Sequence, residues 1–246
     1  MSKKSEVTKN DTAWKLLFEK FQIVENVEKN GYVEITANDI LETSGREPRL
    51  MAKFDHRKNL PKMFSDNDLS ILPVTRGSYI ISGFDAYKSI EPLHNEITQA
   101  SLPEYIESIN HENITSEATA INCAYVSGIL ADFLEDEGLK PTVSGRMSSG
   151  EFSFYIHSTS KDTSVEVNVI NSQVEIDGGY EGIRQLGIIE AKNSISDDFL
   201  IRQLYYPYRL WVPKIKKKSH QYLWCIRMGY TICINMNFKM LPIIIL

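Results

Sequence analysis

Cysteine is scarce in this chain, with Cys123, Cys225 and Cys233 as the only three. They share no metal-ligand spacing and cannot form an even disulfide framework, which excludes a zinc ribbon or a disulfide-stapled scaffold. Reduced thiols in a cytoplasmic bacterial or archaeal protein are the expectation. Long apolar runs are also missing. The terminal run at residues 241–246 is far shorter than the ~20 apolar residues of a spanning helix, so no membrane partner is expected. Basic residues near the start are not followed by an apolar segment, so no signal peptide is expected. Nor is there a global positive field, because the net charge is −5. A nucleic-acid surface on such a chain must be a local patch. The five histidines have no metal spacing either, and His157 reads as a strand residue.

What is present is an ordinary globular balance of 42% hydrophobic and 24% charged residues over 246 positions, enough for one large domain or two small ones with a real core. There is no internal repeat and no low-complexity linker, and two compositional halves meet near residues 85–112. In the first, Trp14, Leu17, Phe18, Phe21 and Val24 recur at helical spacing. A short extended piece follows at residues 32–35, and Thr36 with Asp39 predicts a capping-box start for a second helix. Residues 46–64 read as a third helix or series of helical turns near Pro48, rich in Arg46, Arg49, Lys53, Arg57 and Lys58. Two β-rich runs at 69–82 flank a turn containing Arg76 and Gly77, a hairpin signal. Helix, strand, helix, basic helix, hairpin is the order of a winged helix-turn-helix, in which the third helix enters a groove and the wing meets the backbone. A charge run of this kind is as often a solvated helix face. As a DNA-binding set, Arg46, Arg49, Lys53, Arg57, Lys58 and Arg76 would divide between base edges for arginine and phosphate for lysine.

In the second half, Thr115, Ser116 and Glu117 offer an N-cap for a helix running to about Glu137 and stopped at Gly138. Strands are predicted at 151–157, 165–170, 174–177 and 186–192. A helix from Asp197 to about Tyr206 follows. Helix, strands, helix is an α/β core. Within it, residues two apart on a strand share a face, so Glu190 and Lys192 project together and Asp177 can join them from the neighbouring strand. Glu175 shares the Asp177 face as a second carboxylate, Gly178 and Gly179 permit close backbone approach, and Gln203 on the next helix can reach back. Glu-x-Lys after an acid is common on solvated strands. Here it follows Ile188 and Ile189, and charges ending a buried strand need a reason. Two carboxylates and a lysine suit phosphodiester hydrolysis with Mg²⁺. The carboxylates Asp177, Glu190 and Glu175 would hold the metal, and Lys192 would orient water and stabilise phosphate charge. The aromatic cluster at residues 205–211 reads as core packing in preference to base stacking.

These residues resemble the PD-(D/E)xK nuclease superfamily, and within it the type II restriction endonucleases. Asp177 takes the first acidic position, Glu190 the second and Lys192 the lysine; Ile176 stands where the usual proline would be. The resemblance spans about residues 115–212. It implies a restriction-endonuclease-like mixed-sheet core with flanking helices; with the element order before it, the expected α/β architecture is an N-terminal winged-helix-like module at 1–85, a linker helix region at 86–114 and the nuclease domain at 115–218. It further implies Mg²⁺-dependent endonuclease cleavage of double-stranded DNA at a specific sequence, in a restriction-modification system with a cognate methyltransferase as genetic partner, often by a homodimer. Asp177, Glu190 and Lys192 are then the catalytic set. The alternatives are a structure-specific repair or recombination nuclease and a non-enzymatic winged-helix regulator.

After Lys218 the composition changes. The tail has no acidic residue and no clean periodicity, although a nuclease sheet should receive a further strand there. One reading a frame over from His220 gives two β-rich runs around an Asn-Gly turn, a strong hairpin signal. Residues 219–246 are therefore expected to be an out-of-frame tail, a point that the coding DNA tests directly.

Overall fold

A computed structural model describes residues 8–90, 98–158, 164–192, 196–227, 230–235 and 240–245. The chain begins with α1 (Lys9–Lys20), α2 (Ile23–Asn30), β1 (Val33–Thr36), α3 (Ala37–Ser44), α4 (Pro48–Ala52) and α5 (Lys62–Asp66). Strands β2 (Ser70–Pro73), β3 (Ser78–Ser82), β4 (Tyr87–Ser89) and β5 (Thr98–Ala100) come next, then α6 (Glu117–Val126) and α7 (Ile129–Leu134). They are followed by β6 (Lys140–Ser148), β7 (Glu151–His157), β8 (Ser164–Ile170), β9 (Gln173–Glu181) and β10 (Gln185–Lys192). The rest is β11 (Asp198–Leu200), α8 (Arg202–Trp211), β12 (Lys218–Arg227), β13 (Tyr230–Asn235) and β14 (Met240–Ile245).

These elements form two units, each discontinuous in sequence. The first comprises Met1–Ser89, Ser148–Gln173 and Asp198–Arg202; the second comprises Ile90–Met147, Val174–Asp197 and Gln203–Leu246. This differs from the linear division expected at 85 and 115. The stretch 86–114 carries β4 and β5 and no helix among its described residues. Tyr87 is the reason at one end: it is buried, its hydroxyl donates to the Phe54 carbonyl, and its strand pairs antiparallel with β11.

In the first unit, capping boxes set two helix starts. The Thr8 hydroxyl accepts from the Asp11 amide while Asp11 accepts from the Thr8 amide, and Thr36 and Asp39 repeat the arrangement at α3. Gly31 ends α2 and Gly45 ends α3, both at positive φ. Trp14, Leu17 and Ile23 pack with Ile40, Met51, Phe64 and Ile81 into one core. The sheet order is β1-β3-β2, antiparallel throughout. The basic stretch is not one helix but α4, a 3-10 turn at Arg57–Asn59, and α5. Leu60 is extended because Pro61 follows it, which interrupts any continuous helix there. Strands β7 and β8 form a separate hairpin in this unit, and the Ile170 amide donates to the Val74 carbonyl at 2.8 Å.

The second unit is built on a seven-stranded sheet of order β5-β14-β13-β12-β10-β9-β6. Strand β10 is antiparallel to β9 and parallel to β12, and α8 lies in the crossover that a parallel pair requires. Against one face, α6 and α7 pack through Ala120, Ile121, Ala124, Leu130 and Leu134, with Tyr180, Ile189 and Ala191 from the strands. The single helix expected at 115–137 is two, broken at Gly128 with φ 82°. The helix expected from Asp197 starts at Arg202, because Asp198–Leu200 is drawn into pairing with β4. The residues read as an out-of-frame tail form β12, β13 and β14 and complete the sheet. Among the described residues, no helix is long and apolar enough to cross a membrane.

Two contacts in this unit carry measurable consequences. A Cβ on Gly179 would stand 2.7 Å from the Val143 Cβ of the neighbouring strand β6. Gly179→Ala must push β6 and β9 apart, at an expected cost of about 1–3 kcal/mol. Thermal unfolding checks this, and an unchanged melting temperature refutes the close approach. The Asp136 carboxylate accepts the amides of Arg184 (2.9 Å), Gly138 (3.1 Å) and Ile183 (3.2 Å), clamping the β9–β10 turn. The Arg184 amide first, then those of Ile183 and Gly138, hold its pKa below the ordinary 3.8. Its stabilising contribution is therefore full above that value and fades as pH falls through the lowered one. Asp136→Asn is expected to reduce stability at neutral pH and to narrow its difference from the parent in acid, as followed by unfolding at stepped pH.

Candidate active site

The β9–β10 ladder runs from Leu186 opposite Glu181 to Ile189 opposite Gly178 and stops there. One step further, Asp177 would stand opposite Glu190. Instead Asp177 Oδ2 accepts the Ala191 amide at 2.9 Å, so a carboxylate replaces the backbone acceptor of the next rung. The ladder ends at a charged side chain. Since Ile189, Ala191 and Tyr180 point into the core against α6 and α7, strand alternation sends Asp177, Glu190 and Lys192 to the opposite face.

On that face Glu190 is the hub. Its Oε1 accepts from Lys192 Nζ at 2.6 Å and from Gln203 Nε2, on α8, also at 2.6 Å. The ion pair is largely withdrawn from water, with side-chain exposures of 9% for Glu190 and 14% for Lys192. Charges at this depth are sustained by pairing and hydrogen bonds, as here. The other amide atom of Gln203, Oε1, is buried with no hydrogen-bond partner. Pro207 lies inside α8 and has no amide to give the Gln203 carbonyl, so the helix offers less backbone bonding at the turn that faces Glu190.

Asp177, Glu190, Lys192 and Gln203 are thus brought together as their spacing suggested. Glu175 is not. It shares the Asp177 face, but its Oε1 accepts from Arg146 Nε at 3.1 Å in an exposed ion pair. Among the described residues, no group of three or more His, Cys, Asp or Glu side chains is placed to hold a metal. The expected three-carboxylate set of Asp177, Glu190 and Glu175 is therefore reduced to the first two, because β6 supplies an arginine for the third.

Beside Asp177 lies a cavity of about 310 Å³, lined by Ala118, Ile121 and Asn122 of α6 and by residues 141–144 and 177–180. Its β6 wall had no signal in the sequence: that strand is exposed along most of its length and lacks alternation. Gly178 of β9 lines the cavity opposite α6, where a Cβ would meet Ile121 at 3.2 Å and Tyr180 at 3.1 Å.

The basic residues sit in the first unit. Arg49, Lys58 and Arg76 are exposed, Arg76 in the turn between β2 and β3. Lys53 is 3.7 Å from Asp55. Arg57 is engaged structurally: it pairs with Asp85 at 3.2 Å and its guanidinium lies 5.6 Å from the Tyr87 ring centre. Arg46 has a buried Nε without a hydrogen-bond partner.

A family model matches residues 82–240, more than half of the chain. The chain belongs to the family described as domain of unknown function DUF6997. A second model, domain of unknown function DUF6996, matches residues 11–81. The DUF6997 match thus takes in the whole Asp177–Gln203 constellation and runs into the tail as far as residue 240. No curated protein and no solved structure matches the chain.

Proposed function

We propose that this chain is a metal-dependent endodeoxyribonuclease of restriction type, with Asp177, Glu190 and Lys192 at its catalytic centre. One observation carries the reading. An acidic side chain ends the β9–β10 ladder beside a water-poor Glu190–Lys192 pair, a costly arrangement that no packing need explains. Element order supports it: helices α6 and α7, strands β6, β9 and β10, the α8 crossover and a parallel β12 make a mixed α/β sheet of the kind such a centre would need. The winged-helix reading of the first unit is supported by its β1-β3-β2 order with a hairpin at the end.

The donor chemistry fits Mg²⁺. Asp177 and Glu190 are two carboxylates at facing positions, and the unpartnered Gln203 Oε1 adds a neutral oxygen. Mg²⁺ is commonly held by one or two carboxylates with waters completing its shell. Bound there, the ion would supply Lewis-acid polarisation of a phosphoryl oxygen and a more acidic water. The protein does the rest. Asp177 is fixed by the Ala191 amide, Gln203 orients Glu190, and the Lys192 ammonium stands where it can take up negative charge growing on a phosphate. Double-stranded DNA is the substrate of this reading, a methyltransferase its genetic partner and a homodimer its assembly.

Plasmid DNA tests it. The purified protein with Mg²⁺ is expected to give discrete fragments, and chelation is expected to stop cleavage. Intact plasmid under varied divalent metals would overturn the proposal.

A further inference from the structure

We infer that the outer face of α8 and the turn after it bind a single strand of unpaired nucleotides. This surface rests on the nuclease reading only for its biological use; the binding itself is separable.

The charge distribution points first to a polyanion. No acidic residue follows Asp198 anywhere in the sequence, although the chain as a whole is acidic. Along α8 the periodicity then divides the aromatic run. Leu204, Tyr206, Pro207 and Leu210 are buried, which is the packing role expected of the cluster. Tyr205, Tyr208 and Arg209 stay half-buried on the other side, and Trp211 is half-buried at the helix end.

On that side and at the helix end, cations lie against rings. Arg209 Nη1 donates to the Tyr205 hydroxyl at 2.9 Å, and its guanidinium carbon is 5.8 Å from the Tyr205 ring centre. The Tyr205 and Tyr208 rings lie 6.4 Å apart, inclined by only 31°. The Lys214 ammonium sits 5.2 Å from the Trp211 ring centre, and Trp211 Nε1 is buried with no acceptor. Lys214 and Lys216 are exposed. Rings that accept bases, interleaved with cations that track phosphates, are the components of single-strand recognition. Intact duplex hides its base faces and would use only the cations.

The test is binding by the full chain in chelator, where no cleavage can occur. A labelled single-stranded oligonucleotide is compared at equal salt with a blunt duplex of the same sequence and with polyglutamate. The single strand is expected to bind best. Tyr208→Ala is expected to weaken it about tenfold or more. The doubly substituted Lys214→Glu, Lys216→Glu, altered only at exposed positions, guards against misfolding and is expected to weaken it as strongly. A tryptophan fluorescence change on binding should vanish in Trp211→Phe. Equal affinity for duplex or for polyglutamate, or single-strand binding unmoved by the lysine variant, would overturn the inference. Lys192→Ala is expected to bind normally. Should the parent bind the single strand yet cut nothing with any metal, the nuclease reading fails and the surface stands.

Discussion

Lys192→Ala is expected to lower metal-dependent cleavage by about 10²–10³-fold, the usual effect of removing one preorganised charge-stabilising donor. Substrate binding should change little, so the loss should fall on turnover. Because Lys192 also pairs with the buried Glu190, its removal takes a charged donor from that carboxylate while the Gln203 amide stays in place. Some loss of thermal stability should accompany it. Asp177→Asn separates the two effects. The amide oxygen can still accept the Ala191 amide, so the end of the β9–β10 ladder survives while the negative charge is lost. Cleavage should fall at least as far as in Lys192→Ala, with a melting temperature close to that of the parent. Undiminished cutting of plasmid by both variants would remove these residues from the chemistry.

The largest effect on stability is expected at Trp14. The indole is fully buried, packs edge-on against Phe64 at 4.6 Å and Phe18 at 6.3 Å, and donates Nε1 to the Met51 carbonyl at 2.9 Å. Trp14→Ala opens a cavity at the junction of α1, α4 and α5 and leaves a buried carbonyl without its donor. About 3–5 kcal/mol should be lost, a large share of the stability of an ordinary domain. Urea unfolding monitored by circular dichroism measures it; a change below about 1 kcal/mol would show that the site collapses without strain.

Much of this organisation was readable from residues, for reasons that can be named. Thr36 and Asp39 are three apart, so the capping box is local and independent of the rest of the fold. Asp177, Glu190 and Lys192 sit on strands whose alternation assigns faces directly. What failed depended on distant partners. Glu175 looked like a third metal ligand until Arg146, on another strand, took it. Residues 198–200 looked like a helix start, but pairing with β4 overrides that preference. Arg57 was legible as a surface cation, but its partners Asp85 and Tyr87, some thirty residues on, were not. Strand β6 had no legible pattern because little of it is buried on either side. The tail was legible only as a change of composition; its place is set by pairing with β10.

The interleaving of the two units has a consequence for synthesis on the ribosome. His56 is tied to Asp198, 142 residues later, through the Asp198 carbonyl at 2.7 Å, and the Asp55 carbonyl accepts the Leu200 amide at 3.1 Å. The amino-terminal unit therefore cannot close while it is being made. It must wait, partly open, until residues 198–202 have emerged. Loop closure over such a separation is slow compared with local helix formation. A nascent chain halted before residue 198 would expose the edge that β11 covers on β4, and for that interval it would be a natural client for chaperones.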